Sequence, residues 1–282
     1  MGRLGIIAGA GELPHLAMKE AIASGEDPLF LGIEESDFVA GEYKERTISI
    51  QIMKFGKVIQ TCKKNSIDKI ILLGKVNKDI ILKFYKFDLK AILLMAKMLN
   101  KNDYTFFKTA SEEFEKENIS ILSQKTFLNS LLLKPGKYTK KKLKKDELED
   151  IKYGMNIAYE LAGMDIGQSV IVMDKMVLAL EAIEGTDETI KRGGQLSRKK
   201  GATLCKSSKK KQDDRFDLPT VGTNTLEIMK DYNYSTLAIK SGETIVINPQ
   251  EFINTANKYK INLISYSPEL EDEKYFHIIH HE

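Results

Sequence analysis

The stretch LGIIAGAGELP, residues 4–14, decides the fold of the first half of the chain. Residues 4–9 are apolar or glycine, which is typical of a short buried strand. Pro14 suits the first turn of a helix because its ring fixes φ. The residues in between, Gly9–Leu13, therefore form a tight turn whose N–H groups could hold an anion at the start of that helix. A phosphate-binding loop and a merely tight turn are both compatible with this pattern.

The dinucleotide-binding fingerprint is only partly present in this turn. The fingerprint has a third glycine where this chain has Pro14. Glu34 and Glu35 follow the second predicted strand, about where a ribose-binding acid is expected. A nucleotide-linked oxidoreductase is therefore one alternative function, and the missing glycine counts against it.

The first half of the chain alternates between strand and helix patterns. Apolar runs predict strands, and apolar residues at helical spacing predict the connecting helices. This alternation indicates α/β architecture, with an N-terminal Rossmann-like domain built on a parallel sheet. The predicted strands are 4–9, 28–33, 47–51, 68–74 and 118–122, and the predicted helices are 14–25, 56–66, 89–99 and 110–117.

The second half has a different rhythm. A helix is predicted over 146–164, followed by a β-hairpin with Asp174 and Lys175 at its tip. Thr186 is placed to cap a further helix. A strand over 202–206, a helix over 223–233 and strand–helix–strand material over 236–266 complete a C-terminal α/β domain with a mixed sheet.

The predicted domain boundaries follow a change in composition. Seven lysines lie between Lys134 and Lys145, behind a Pro-Gly pair, which is typical of a solvated linker. We therefore predict a Rossmann-like N-terminal domain over 1–133, a Lys-rich linker over 134–145 and a C-terminal catalytic domain over 146–282. A second interpretation of the Lys-rich segment is electrostatic contact with an anionic membrane surface.

Composition restricts the class of protein. The chain has 282 residues, 42% hydrophobic and 29% charged, with a formal net charge of +3. This balance is typical of a globular protein with two domains, and the charge is too small to argue for nucleic acid. No apolar run reaches the roughly 20 residues of a membrane span, and the start lacks a signal-peptide pattern, so we expect a cytoplasmic protein. Cys62 and Cys205 are expected to be buried thiols.

An acid-rich loop follows a run of lysines in the stretch KKKQDDRFDLPTVG, residues 209–222. Asp213, Asp214, Arg215 and Asp217 fall within five positions. A solvated loop is the simplest interpretation of such a charge run. Carboxylates this close on an irregular loop can also converge on one hard cation such as Mg²⁺.

Three stretches together resemble the LpxI family, the UDP-2,3-diacylglucosamine pyrophosphatases of lipid A biosynthesis. They are LGIIAGAGELP (4–14), LALEAIEGTDETIKRGG (178–194) and KSSKKKQDDRFDLPTVG (206–222). The resemblance implies hydrolysis of UDP-2,3-diacylglucosamine to lipid X and UMP with a divalent cation, Mg²⁺ or Mn²⁺. It also implies a cytoplasmic or peripheral inner-membrane enzyme, a homodimer, and two domains that enclose the substrate.

The resemblance also suggests roles for individual residues. Asp213 and Asp217 are candidates for metal ligation or water positioning, and thus for the catalytic residues, whereas Asp214 is expected to be solvated. Arg215 could clamp a phosphate and Lys206 could attract the anionic substrate. The predicted substrate-binding residues are Gly9, Ala10, Gly11, Glu12, Leu13, Gly74, Lys75, Thr186, Asp187, Lys206, Gln212, Arg215 and Thr220.

Some positions stay open or depart from the family pattern. Glu181 and Glu184 alternate with apolar residues and could face either a cleft or solvent. Lys78 and Asp79 stand where the family has arginine and proline, and a lysine loses the bidentate fork of arginine. A non-catalytic nucleotide- or lipid-binding protein is the remaining alternative. The acid-rich loop counts against it, because carboxylates without a metal repel phosphate.

Overall fold

The computed structural model describes residues 2–76, 88, 103–198, 200–209, 213–216 and 218–279. The chain divides into two compact units. Unit 1 comprises Met1–Asn129 together with Asp214–Phe216, and unit 2 comprises Ser130–Asp213 and Asp217–Glu282. The three residues Asp214–Phe216, in the middle of the acid-rich loop, thus belong to the first unit.

Unit 1 is built on parallel strands joined by helices. One helix, Asp103–Glu115, begins earlier than the predicted 110–117, and the predicted helix 89–99 lies outside the described residues. The strands are β1 (Arg3–Ala8), β2 (Leu29–Ile33), β3 (Thr47–Ile50), β4 (Ile67–Leu73) and β5 (Ser120–Ile121). The described helices are α1 (Leu13–Ala23), α2 (Phe55–Lys64), α3 (Asp103–Glu115) and α4 (Lys125–Leu128), with a 3₁₀ turn at Gly41–Arg46.

The sheet of unit 1 has the strand order β3-β2-β1-β4-β5, and every pair is parallel. The order reverses between β1 and β4. After β1 the chain continues to β2 on one side of this pair, and after β4 it continues to β5 on the other side. Strand β2 is buried at every position, as expected for a parallel strand covered on both faces. The predicted Rossmann-like parallel sheet is confirmed.

Unit 2 contains a six-stranded mixed sheet with the order β6-β13-β11-β9-β7-β8. Strands β9, β11 and β13 are parallel to one another, whereas β6 and β7 run antiparallel to their neighbours, which confirms the predicted mixed sheet. The strands are β6 (Gly136–Lys137), β7 (Ser169–Met173), β8 (Met176–Leu180), β9 (Thr203–Lys206), β11 (Thr236–Lys240) and β13 (Asn262–Tyr266), with β10 (Thr220–Val221) paired to β12 (Ile245–Val246). The helices are α5 (Lys145–Gly163), α6 (Thr186–Leu196), α7 (Thr223–Asp231) and α8 (Pro249–Lys258).

The strand alternation of unit 2 divides its core into two layers. Val170 and Cys205 pack with Ile151 of α5 on one face of the sheet. Ile171 and Leu204 pack with residues of α6, α7 and α8 on the other face. Side chains at successive strand positions point to opposite faces, so each strand supplies both layers.

The Lys-rich segment 134–145 differs from the predicted solvated linker. It lies in unit 2, and Gly136–Lys137 pairs with β13 as an edge strand. Lys137 is buried, its ammonium donates to the carbonyl oxygen of Thr139, and burial lowers its pKa. Leu143 is also buried. Apolar and small residues interspersed among the lysines allow the backbone to join the sheet while lysines such as Lys140 remain exposed.

Both cysteines are buried, as predicted. Burial raises the pKa of Cys62 to about 12. Each thiol therefore stays protonated at neutral pH and acts as a small apolar side chain. Within the described ranges, no helix has both the length and the apolar character that crossing a membrane requires.

The hairpin of β7 and β8 is held by one carboxylate from α5. Asp174 and Lys175 form its two-residue turn, both with positive φ, as in a type I′ turn. The buried side chain of Asp150 accepts hydrogen bonds from the backbone N–H of Asp174 at 3.0 Å and of Lys175 at 2.7 Å. The turn is therefore fixed to the helix packed below it.

We predict that Asp150→Ala lowers the free energy of unfolding by about 1–3 kcal/mol, because two backbone N–H groups lose their acceptor. Urea denaturation followed by circular dichroism measures the change. Glu149→Ala is the matched control on the same helix, since Glu149 forms only an exposed ion pair with Lys175. An equal loss in both variants would contradict the proposed role of Asp150.

The contribution of Asp150 should also depend on pH. Burial is the main cause that raises the pKa of Asp150 in the folded protein. An acid with a raised folded pKa binds its proton more tightly when folded, so its stabilising effect is largest below the unfolded pKa of about 3.9. The difference in unfolding free energy between the wild type and Asp150→Ala should then shrink as pH rises from about 3.9 through the folded pKa.

Candidate functional site

Two glycine-containing loops meet at the point in unit 1 where the strand order reverses. Ala10 N donates to Lys75 O at 2.9 Å, and Lys75 N donates to Ala10 O at 2.8 Å. Gly9 N donates to Leu73 O at 2.8 Å. The loops after β1 and β4 are therefore paired through their backbones at the carboxyl ends of the strands, where open α/β sheets bind ligands.

The close approach of these loops excludes side chains. A Cβ on Gly9 would lie 2.5 Å from Lys75 O, and a Cβ on Gly74 would lie 2.5 Å from the carbonyl carbon of Gly9. Gly74 also has φ +90°, which disfavours any other residue. The structure thus brings the predicted residues Gly9, Ala10, Gly74 and Lys75 together, and the two glycines are required for backbone packing.

The turn continues directly into helix α1. Gly11 has φ +106°, and a Cβ there would meet no heavy atom within 4 Å, so the loop surface is open at this position. Glu12 is the N-cap residue of α1, Leu13 is its first residue and Pro14 follows. Backbone N–H groups at the start of α1 lie beside an open glycine, which is suited to an anion such as phosphate.

The acids after β2 are engaged within unit 1. Ser49 Oγ and Gln51 Nε2 donate to the two carboxylate oxygens of Glu34 at 2.8 and 2.7 Å, and these bonds lower its pKa. Glu35 accepts from Ile52 N at 3.1 Å. Both acids bond to residues on or just after β3, on the side away from β1. This arrangement disfavours the ribose-binding role on which an oxidoreductase would depend.

The middle of the acid-rich loop is anchored in unit 1. Gln124 N donates to Asp214 O at 2.8 Å, while its side chain donates to Leu72 O near the end of β4 at 2.7 Å. Phe216 packs against the core of unit 1. Arg215, predicted to clamp a phosphate, lies 3.6 Å from Glu115 and stacks near Phe216. The Asp214 backbone, rather than its side chain, thus provides an anchor for the loop.

A buried polar network lies at the carboxyl end of β9 in unit 2. Lys206 Nζ donates to Thr186 Oγ1 at 3.0 Å and to Ser169 Oγ at 3.2 Å. Thr186 Oγ1 donates to Glu181 Oε1 at 2.8 Å, and Glu181 Oε2 lies 3.9 Å from the ammonium. The side chains of Lys206 and Glu181 are 7% and 13% exposed. A lysine this well buried needs such an acid nearby to compensate its charge.

The network continues to the starts of two helices. Thr186 is the first residue of α6 rather than its cap, since Gly185 with φ +82° occupies the N-cap position. Its hydroxyl bonds to Glu181 instead of the helix N–H groups, which corrects the predicted capping role. Asp187, the next residue, accepts from Asn224 in the first turn of α7 at 3.2 Å. The structure therefore brings Lys206, Thr186 and Asp187 together.

The segment after Lys206 is fixed at several points. Ser207 N donates to Gln168 O at 2.9 Å, and Ser208 Oγ donates to Glu243. Lys209 pairs with Asp165. Thr220, predicted to bind substrate, starts β10 and donates to Leu218 O at 3.1 Å. The backbone or side chains of Ser207, Ser208 and Lys209 are thus each held by a neighbour in unit 2.

The predicted metal ligands are only partly described. Asp213 is half-buried in unit 2, whereas Asp217 and Gln212 lie outside the described residues. Over the described part of the chain, His, Cys, Asp and Glu side chains form no group of three that could hold a metal. Mg²⁺ often binds through one or two carboxylates and completes its shell with water and substrate phosphates. Asp213 and Asp217 offer the right donor type and number for that mode.

Comparison with known proteins agrees with this arrangement of two units. The LpxI N-terminal domain matches residues 3–131, and the LpxI C-terminal domain matches residues 134–264. The chain belongs to the LpxI family. It is 25% identical over 288 residues to the UDP-2,3-diacylglucosamine pyrophosphatase LpxI of Caulobacter vibrioides, an alignment that covers 95% of this chain and 99% of the relative. The resemblance drawn from the sequence is confirmed.

The sequence patterns do not identify several residues that hold the predicted site residues of this LpxI-family protein in place within each unit. Ser169 and Asn224 belong to ordinary strand and helix patterns, and Gln124 lies in a loop without a motif. Ser169 lies 37 residues from its partner Lys206, and Asn224 lies 37 residues from Asp187. Gln124 lies 90 residues from Asp214. The signature stretches contain one member of each pair, but no local signal identifies the other member.

We predict that Gly74→Ala destabilises this LpxI-family protein by more than about 2 kcal/mol, because the new Cβ would overlap the backbone of Gly9 at an unfavourable φ. Thermal unfolding measures the loss. Gly163→Ala, at the end of α5, is the matched control because a Cβ there meets no neighbour within 4 Å. A Gly74→Ala variant as stable as this control would show that the loops do not need close packing.

Proposed function

We propose that the protein hydrolyses the diphosphate of UDP-2,3-diacylglucosamine, giving 2,3-diacylglucosamine 1-phosphate, which is lipid X, and UMP. The observation that carries this proposal is that LpxI domains match both halves of the chain in order. The named pyrophosphatase of Caulobacter vibrioides aligns over nearly the full length of both proteins. The enzyme is thus a hydrolase of a phosphoric anhydride that acts in lipid A biosynthesis.

Unit 1 would contribute backbone donors to the anionic part of the substrate. The paired loops hold Gly11 open next to the start of α1. N–H groups of this kind neutralise phosphate oxygens without the flexibility of a lysine side chain, so they favour a fixed diphosphate position. Lys75, whose backbone is held by Ala10, could place its ammonium near the same anion.

Unit 2 would contribute charged side chains. Lys206 and the first turn of α6 lie together at one edge of the mixed sheet, with Asp187 fixed by Asn224. The Ser207–Lys209 segment, which follows Lys206 in the chain, is held by Gln168 and Asp165. Groups positioned in advance stabilise charge that develops on phosphoryl oxygens in the transition state.

We propose Mg²⁺, or Mn²⁺ in its place, as the divalent cation, with Asp213 and Asp217 as its protein ligands or as the residues that orient the attacking water. Such an ion neutralises phosphoryl oxygens and lowers the pKa of a bound water. Asp213 is held half-buried beside a segment whose backbone is anchored by Gln124.

We predict that Asp213→Ala and Asp217→Ala each lower kcat by about 100-fold or more while the proteins stay folded, since the carboxylates act on the transition state. Hydrolysis of UDP-2,3-diacylglucosamine in the presence of Mg²⁺, followed by UMP release, measures kcat. Excess EDTA should abolish wild-type turnover, and added Mg²⁺ should restore it.

Asp214→Asn is the matched control for these variants. Its backbone carbonyl, which accepts from Gln124, is retained, and the side chain is not assigned a role. Its kcat should stay within about threefold of wild type. Wild-type rates in both alanine variants would exclude the loop from the mechanism, and full activity in EDTA would exclude the metal.

We further propose a homodimer and peripheral contact with the inner membrane. The family resemblance supports the dimer. An amphiphilic substrate and the exposed side chains of Met164, Ile166 and Ile183 in unit 2 support the membrane contact. Sedimentation velocity should give a dimer mass, and flotation with anionic vesicles should recover wild-type protein but less of Ile183→Ser. A monomer mass would contradict the homodimer. Equal flotation of the wild type and Ile183→Ser would contradict the membrane contact.

A further inference from the structure

The sequence pattern allows the Glu181 side chain to face either a cleft or solvent, and the structure gives it a specific environment. Its carboxylate receives the Thr186 hydroxyl at 2.8 Å and the backbone N–H of Gln168 at 3.4 Å. The ammonium of Lys206 lies 3.9 Å away. The Glu181 side chain is 13% exposed. The Glu181 side chain is therefore directed into the protein, where its carboxylate interacts with Thr186, Gln168 and Lys206.

The Thr186 hydroxyl connects the acid to the lysine. A hydroxyl has one proton to donate, and here it is given to Glu181. The oxygen lone pairs of Thr186 then face Lys206 Nζ, which donates to them at 3.0 Å. The carboxylate thus sets the orientation of the hydroxyl, and the hydroxyl sets the position of the ammonium.

The three residues come from three different elements. Glu181 directly follows β8, Thr186 begins α6, and Lys206 ends β9. Thr186 precedes Asp187, and Lys206 precedes the loop that carries Asp213. A single carboxylate thereby ties together the two segments of unit 2 that contain most of its predicted substrate-binding residues.

We propose that Glu181 is a positioning residue: it acts through Thr186 and Lys206 to hold the Lys206 ammonium and the start of α6 in the arrangement that stabilises charge on the substrate diphosphate in the transition state. The inference rests on the proposed function for its substrate. Removing the acid takes away the acceptor of the Thr186 hydroxyl and the negative charge 3.9 Å from Lys206 Nζ, so the hydroxyl and the ammonium are no longer held in these positions.

Glu184 provides a matched control three residues later in the chain. It pairs with Arg192 at 2.6 Å on the surface, and Arg192 also donates to Leu180 O. The two glutamates share the same loop and differ in their partners. Glu184→Gln should therefore retain wild-type kcat, whereas Glu181→Gln should not.

The experiment is a double-mutant cycle on purified full-length protein. Glu181→Gln should lower kcat by about tenfold or more with KM within about threefold, and Glu181→Asp should recover part of the loss. Because Glu181 acts through Lys206, the double variant Glu181→Gln/Lys206→Met should be within about threefold of Lys206→Met alone. Independent, multiplicative losses in the double variant, or a wild-type kcat for Glu181→Gln, would overturn the proposal.

A second measurement does not depend on the reaction. Hydrogen–deuterium exchange of the peptide over residues 185–190 should be faster in Glu181→Gln than in wild type. Glu184 accepts from Thr189 Oγ1 in this peptide at 3.4 Å, and Glu184→Gln keeps an oxygen that can accept this bond, so exchange should be unchanged in that variant. Unchanged exchange in Glu181→Gln would overturn the positioning role even if the substrate assignment holds. If wild-type protein does not hydrolyse UDP-2,3-diacylglucosamine, the proposed function fails while faster exchange still supports the network. Should Glu181→Gln not fold, Thr186→Val tests the same connection by removing the bridging hydroxyl.

Discussion

The backbone contact of Gly9 and Ala10 with Gly74 and Lys75 is the constraint on which unit 1 depends. Two neighbouring parallel strands end at the same level, and their loops are joined by a pair of N–H···O bonds. Such close backbones leave no room for a Cβ at Gly9 or Gly74. The same constraint places Gly11 and the start of α1 at the surface, where backbone N–H groups are available to an anion. Packing and ligand binding therefore have one structural cause.

Unit 2 positions its polar groups in a different way. Its mixed sheet places the start of β7, the loop after β8 and the end of β9 at the same end of the strands, because β7 runs antiparallel to both neighbours. At that end a buried lysine is surrounded by two hydroxyls and a carboxylate. Burial makes each of these contacts costly to lose, since an unpaired charge or hydroxyl has no water to replace its partner. Backbone hydrogen bonds hold the loops after β1 and β4 in unit 1, whereas side-chain electrostatics holds the polar groups at the ends of β7, β8 and β9 in unit 2.

The charged residues of the chain show that composition does not specify environment. Lys137 is one of the seven lysines over residues 134–145 and is nevertheless buried in an edge strand. Glu181 and Glu184 lie in one short loop, but one faces the Lys206 network and the other pairs with Arg192 on the surface. Neighbours far along the chain determine whether a charge is solvated or compensated. Local sequence windows contain no information about those neighbours.

The α/β class, the parallel and mixed sheets, the hairpin turn at Asp174 and the family could all be predicted from the sequence, because these follow from local periodicity, turn residues and contiguous motifs. The glycine loop after β1 could be predicted in the same way. Three features became visible in the folded chain alone: Thr186 bonds to Glu181 instead of capping α6, Glu34 is engaged by Ser49 and Gln51, and Asp214–Phe216 packs with unit 1. Each of these depends on a hydrogen bond or packing contact whose partner is set by strand order and helix packing, and such long-range pairings leave no periodic signal in the sequence.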